Sequence, residues 1–172
     1  MAGIGVYGNQ NKVEGSLAMD VKIFIFPETK VAAIEHHGSP TLEHDTARKL
    51  IAWKLAHRFL DPLKYRSYGV HHTNPRTTPH AEHRVDFCLS IEEHVGPNPY
   101  GISNKLIPGG RRARARDVGG RSNNQAAAYL YDTWLPQSSE FLGNFPIFFY
   151  DVNVGPCVRQ EEMITDVYLP LK

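Results

Sequence analysis

Four histidines, His71, His72, His80 and His83, lie close together and are followed by Asp86. Imidazole nitrogens with a carboxylate suit zinc, nickel or copper, so a metal is the first chemistry to test. The spacing argues against it. No HExxH or paired CxxC accompanies the histidines, and the proline-rich stretch 74–79 separates the two pairs. They read as surface or strand-end histidines, and neither a metal nor any other cofactor is expected. Nucleophilic hydrolysis would need Ser or Cys on a turn with His and a carboxylate, but no GxSxG is present. Cys88 and Cys157 stand far apart with no signature around them and read as packing thiols of a reducing cytoplasm. Pro108-Gly109-Gly110 and Gly119-Gly120 lack the spacing of a phosphate cradle and read as turns bounding a strand.

The run Arg111-Arg112-Ala113-Arg114-Ala115-Arg116 invites a nucleic-acid reading. Strand alternation offers a simpler one: Arg112, Arg114 and Arg116 share one face and Ala113 and Ala115 the other, which predicts a half-buried strand with a solvated basic face. No helix-turn-helix, zinc-finger or RNP pattern accompanies it. What remains is aromatic. Trp53, Tyr68, Tyr129, Tyr131, Trp134, Phe148 and Tyr150 are each core candidates taken singly. Together they fall near helices and inner strands, where an aromatic cleft would take flat, apolar ligands, and any cation would rest on ring faces beside a carboxylate.

The elements that must position these residues are written twice. Comparing position n with n+81 aligns Pro27 with Pro108, Ala32 with Ala113, Gly38 with Gly119, and Trp53 with Trp134, the two tryptophans of the chain. At an offset of 80, Val85-Asp86-Phe87-Cys88-Leu89 aligns with Thr165-Asp166-Val167-Tyr168-Leu169. Such self-similarity marks a duplication. In the first half, residues 21–37 read as one strand kinked at Pro27, residues 42–59 as a helix closed by Asp61-Pro62, and residues 65–72 and 84–91 as strands. In the second, a helix over 123–135 is stopped by Pro136, and strands follow at 145–152 and 164–169. The expected fold is α+β: two β-α-β-β units joined edge to edge in one antiparallel sheet, with two helices on one face and a central groove at a pseudo-twofold axis.

The totals limit the function classes. A chain of 172 residues with 41% hydrophobic content can bury one good core. With 19 basic and 18 acidic residues its formal charge is +1, which directs it neither to a polyanion nor to a membrane surface. Its apolar runs are short, and no signal peptide is visible. Residues 1–20, rich in Gly and Asn, read as a loosely ordered leader. The domain then spans 21–172, with halves of about 21–92 and 102–171.

Several segments resemble the GyrI-like family, the effector-binding module of AraC-type regulators. Phe26-Pro27-Glu28-Thr29-Lys30-Val31-Ala32-Ala33-Ile34-Glu35-His36-His37-Gly38 is similar to its opening strand, and Ile107-Pro108-Gly109-Gly110 to the start of its second half. Tyr129-Leu130-Tyr131-Asp132-Thr133-Trp134-Leu135-Pro136 and Thr165-Asp166-Val167-Tyr168-Leu169-Pro170-Leu171 resemble its second helix and closing strand. The resemblance implies a pseudo-twofold domain whose groove binds small, often lipophilic and cationic, compounds. It also implies a DNA-binding domain ahead of the module in the regulators, which residues 1–20 are too few to form, so no direct DNA binding is expected. One departure stands out: many members carry a glutamate where this chain has Phe148. Its loss counts against catalysis and leaves Glu35, Asp86 or Asp151 to supply a negative charge. The expected site is Trp53, Tyr68, Tyr131, Trp134, Phe148 and Tyr150 with Glu35, binding a lipophilic, aromatic or cationic compound. A small-molecule hydrolase and a gyrase-modulating, protein-binding module are the alternatives, and the oligomeric state is left open.

Overall fold

The computed structural model describes residues 18–120 and 124–172, so the leader expected over residues 1–20 lies almost wholly outside the described residues. The strands are β1 (Lys22–Phe26), β2 (Thr29–His37), β3 (Ser67–His71), β4 (Arg84–Ser90), β5 (Ser103–Ile107), β6 (Gly110–Val118), β7 (Phe148–Asp151) and β8 (Ile164–Pro170). They form one antiparallel sheet in the order β1-β6-β8-β7-β3-β4-β2-β5. Exchange of the two halves leaves this order unchanged, as a duplication requires. Ala32 pairs with Leu89 and Ala113 with Leu169, so the sequence repeat is also a repeat of register. The pseudo-twofold axis passes through the Gly69 and Phe149 pair, where β3 meets β7.

The expected single strand over residues 21–37 is in fact two strands that do not pair with each other. β1 pairs with β6 of the second half, and β5 pairs with β2 of the first. Pro27 has no N–H to continue a ladder, and the chain uses it to change sheet position. Only Pro27 and Glu28 join β1 to β2, which stand six positions apart in the strand order. In a flat sheet that separation would be about 29 Å, whereas three residue steps reach at most about 11 Å. The sheet must therefore curl until its edges approach. The two connections touch where they cross: a Cβ on Gly109 would lie 3.0 Å from the Glu28 nitrogen and 3.1 Å from the Phe26 carbonyl oxygen.

Helix α1 (Glu43–Ala56) packs Leu50 and Trp53 onto Ala32, Ile34 and Leu89. It ends five residues before the expected Asp61-Pro62 stop, because Arg58 takes a left-handed conformation (φ 55°) and turns the chain away. The second helix has three pieces: α2 (Ala126–Tyr129), a π-helical turn (Leu130–Trp134) and α3 (Leu135–Gln137). Pro136 does not stop it. The π turn restarts the hydrogen-bond ladder, and Pro136 sits in the first turn of α3, where a missing N–H costs little. Ala126 and Leu130 pack on Ala113, Ala115, Val167 and Leu169. Register places all these sheet residues on one face, so both helices cover the same side.

The opposite face is lined by Phe26, Val31, Ala33, Tyr68, Val70, Cys88, Ile107 and Phe148. Curling turns this face inward, which explains why β4 is buried on both sides instead of alternating between core and solvent. It also removes one residue from the solvated basic face expected for β6, since Arg112 is buried while Arg114 is half-buried and Arg116 exposed. Arg112 is 4% exposed; its guanidinium donates to the carbonyls of Pro108 and Arg111 and stands 5.8 Å from the centre of the Phe148 ring. Burial lowers its pKa. Arg114 lies over Phe24, and Arg116 makes a two-point ion pair with Asp166.

If the crossing of the two connections sets the curl, Gly109→Ala lowers stability by roughly 1–3 kcal/mol in denaturant unfolding, because the new methyl meets backbone. Gly96, where a Cβ would meet nothing within 4 Å, is the control, and Gly96→Ala changes stability by less than about 0.5 kcal/mol.

Candidate functional site

The seven residues expected to form one site fall into four places. Tyr68, Phe148, Tyr150 and Glu35 share the helix-free face. Trp53 and Trp134 lie beneath their own helices, each in its own core cluster. Tyr131, on the π turn, is 40% exposed and lines a cavity on the helix side.

On the helix-free face, side chains run across the sheet in rows. One row reads Glu35, Asp86, Val70, Phe148, Tyr168, Arg114, and the next reads Ala33, Cys88, Tyr68, Tyr150, Asp166, Arg116. Phe148 is fully buried at the centre, stacked on Tyr168 at 5.1 Å and edge-on to Phe26 at 5.0 Å. Tyr68 and Tyr150 follow at 5.2 Å from each other. Burial raises the pKa of Tyr68 against the opposing effect of Arg66, whose Nε donates to its hydroxyl. Cys88 is buried beside Tyr68 in the same row, and burial pushes its thiol pKa up, consistent with an inert packing role.

Of the acids considered as replacements for a glutamate at Phe148, Asp86 lies in the same row two strands away, and Glu35 lies one strand further. Both are engaged. Lys105 Nζ donates to Asp86 Oδ2 at 2.9 Å and also to Glu35, and His72 Nε2 lies 2.9 Å from the same Asp86 oxygen. Burial raises the Asp86 pKa, but the bonds and charges of His72 and Lys105 outweigh it and leave the group below its usual value. The Lys105 hydrogen bond, followed by that of His37, lowers Glu35 as well. Asp151 points to the other face.

The helix side holds open space along the pseudo-twofold axis. A cavity of about 160 Å³ is lined by Gly69, His71, Phe87, Asp117, Phe149, Asp151 and Thr165 from the sheet, with Glu43 from α1 and Asn124 from the approach to α2. Tyr68 also borders it. The floor is open because Gly69 carries no side chain; a Cβ there would meet only His71 Nε2, at 3.7 Å. The walls are tied down by repeat-related positions. His36 bonds Thr46 Oγ1 at 2.7 Å near the start of α1, while Asp117 accepts the N–H groups of Gln125 and Ala126 at the start of α2. Burial raises the Asp117 pKa despite these donors. His83 is buried where β4 begins, with Nε2 2.6 Å from Glu43 Oε1 and Nδ1 3.2 Å from Thr73 Oγ1.

A larger cavity of about 770 Å³ adjoins the first and shares His71, Asn124 and Phe149 with it. Tyr131, Phe145, Ile147 and Phe149 provide apolar and aromatic walls, Asp132 is the carboxylate, and residues 73–76 of the β3–β4 loop close one side. Phe145 links the two faces, since it lines this cavity and packs against Phe148 at 6.1 Å. Phe145, Phe149, Asp132 and Asn124 are the residues that sequence reasoning missed, while His71 drew notice only as a metal candidate. Strand parity could have separated Phe149 from Phe148, but nothing local marked the others. Among the described residues no group of three His, Cys, Asp or Glu side chains is arranged to hold a metal ion, and no helix is long and apolar enough to cross a membrane.

The network around Lys105 gives a pH prediction. A carboxylate held below its unfolded value contributes stability above the unfolded pKa and loses it as pH falls through the folded one. Glu35 and Asp86 face each other across β2 and β4. Lys105→Met removes the ammonium between them, so stability at pH 7 falls by roughly 1–3 kcal/mol and acid unfolding begins at a higher pH. Denaturant melts at pH 7 and a circular-dichroism acid titration check both, and a wild-type acid limb would contradict the assignment.

Comparison with known proteins agrees with this architecture. The model of the GyrI-like small molecule binding domain matches residues 19–172. The probable transcriptional regulator YgiV of Escherichia coli K12 is 34% identical over 157 residues, covering 91% of this chain and 98% of YgiV. Among solved structures, the C-terminal domain of EcmrR superposes with a TM-score of 0.70 at 15% identity, over 90% of this chain and 98% of that one. SAV2435 bound to tetraphenylphosphonium superposes with a TM-score of 0.53 at 10% identity, over 90% and 94%. The duplicated sheet, the paired helices and the groove between them, with a family match over nearly the whole described chain, make this protein a member of the GyrI-like small molecule binding domain family.

Proposed function

We propose that the chain binds lipophilic small molecules of aromatic or cationic character in the larger helix-side cavity, and serves as an effector-sensing or sequestering domain. The observation that carries this reading is the cavity. Its volume of about 770 Å³ suits a drug-sized molecule. Tyr131, Phe145 and Phe149 offer ring faces, Ala127, Ala128 and Ile147 offer apolar contact, and Asp132, ion-paired with Arg76 in the unliganded protein, is the carboxylate that a ligand's positive charge would meet. The adjoining smaller cavity adds Glu43, Asp117 and Asp151, so the groove as a whole favours positive over negative ligands. The ligand held by the related fold SAV2435, tetraphenylphosphonium, has this bulk and charge and is a suitable probe.

A ligand present at 100 times its Kd stabilises the fold by about 2.7 kcal/mol, which raises Tm by roughly 5–10 °C for a domain of this size. Titration with tetraphenylphosphonium and with neutral hydrophobic dyes should give that shift together with saturable quenching of tryptophan fluorescence. Tyr131 is exposed enough for Tyr131→Ala to keep the fold, and losing its ring face weakens binding about tenfold. A broad panel that moves neither Tm nor fluorescence would refute the reading.

A further inference from the structure

The larger cavity has one carboxylate among its lining residues, Asp132, and that carboxylate is already engaged: Arg76 Nη1 donates to Asp132 Oδ2 at 2.8 Å. Arg76 comes from the β3–β4 loop of the first half, and Asp132 from the π turn of the second. The pair therefore spans the two walls of the cavity that both residues line. The loop is shaped to present Arg76. Asn74 Oδ1 accepts the Arg76 N–H at 2.9 Å, and the Asn74 carbonyl accepts the N–H groups of Thr77 and Thr78. Among the other basic lining residues, His72 is committed to Asp86.

Position matters as much as pairing. Asp132 aligns in the repeat with Ile51, so the acid belongs to the second half alone and makes the groove asymmetric. It lies on a π-helical turn, a distortion that often marks ligand sites because it pushes side chains out of helical register. Both members of the ion pair are more than half exposed, at 58% and 56%. A pair so well solvated is weak and exchanges readily with another cation.

We propose that Arg76 is a built-in competitor for the cationic end of a ligand. Its guanidinium occupies Asp132 and gives it up to a bound cation, so Arg76 sets the preference of the cavity for cationic over neutral compounds. The proposal rests on the ligand-binding reading above. Arg76 lies in a loop outside the strands, and a ligand cation that reaches Asp132 frees the loop wall, which couples occupancy to the position of residues 73–76.

Isothermal titration with tetraphenylphosphonium and with neutral triphenylphosphine oxide, on wild type, Arg76→Gln, Asp132→Asn and the double variant, tests this. Arg76→Gln raises the cation-to-neutral affinity ratio roughly three- to fivefold. Asp132→Asn lowers that ratio roughly tenfold, and Arg76→Gln has no further effect in its background. Thermal melts confirm that the variants fold. An unchanged ratio in Arg76→Gln, or an equal gain for both ligands, overturns the competitor role while leaving the cavity reading intact. If neither ligand binds wild type, the cavity reading fails and this proposal fails with it.

Discussion

Strands β1 and β2 are neighbours in sequence but lie near opposite edges of the sheet, and the two residues between them cannot stretch. The same holds for β5 and β6 across Pro108 and Gly109. This double constraint curls the sheet, and most of the remaining chemistry follows from the curl. The face turned inward loses water, so it fills with Phe26, Tyr68, Phe148 and Tyr168, and its charges survive only where a partner or an aromatic face compensates them. The outer face keeps two helices that cover each half but leave the pseudo-twofold seam open. Space for a ligand and the absence of space for solvent thus have one cause.

Charge is distributed along the same division. Inside the curl, Asp166 is matched by Arg116 and Asp86 by Lys105 and His72, while Arg112 rests on the ring of Phe148. The residue at 148 is decisive there. A carboxylate at that point would sit beside the Arg112 guanidinium, whereas the phenylalanine closes the layer with packed rings. On the helix side the balance reverses: Glu43, Asp117, Asp132 and Asp151 surround the open volume, and Asp132 is held by a solvent-exposed, exchangeable partner.

Much of this architecture was legible because duplication preserves what packing needs. Ala32 and Ala113, buried under the two helices, and Asp86 and Asp166, buried on the inner face, kept their identities at offsets of 81 and 80 and so exposed both repeat and register. The exchange of β1 and β5 between halves left no local trace, since a strand carries no record of which edge it will join. Burial of Arg112 was hidden for a related reason: alternation reports two faces but not that one of them closes on itself. The aromatic residues were read correctly as strand and helix positions, yet Trp53 and Trp134 went beneath their helices and Tyr68, Phe148 and Tyr150 to the inner face. Only Tyr131 stands in the larger cavity, whose other key residues, His71, Phe145 and Asp132, come from a strand end, a loop and a π turn that no periodicity marks.

The account places a ligand on the helix side of the curl, so the most direct measurement is a map of where binding is felt. In backbone and side-chain NMR with tetraphenylphosphonium added stepwise, the largest shifts should fall on His71, Asn124, Tyr131, Asp132, Phe145 and Phe149, and the signals of Arg114, Tyr150 and Tyr168 should move little. Shifts concentrated on Tyr150, Tyr168 and Arg114, with the helix-side residues unmoved, would show that the curled inner face opens to take the ligand and would contradict the assignment.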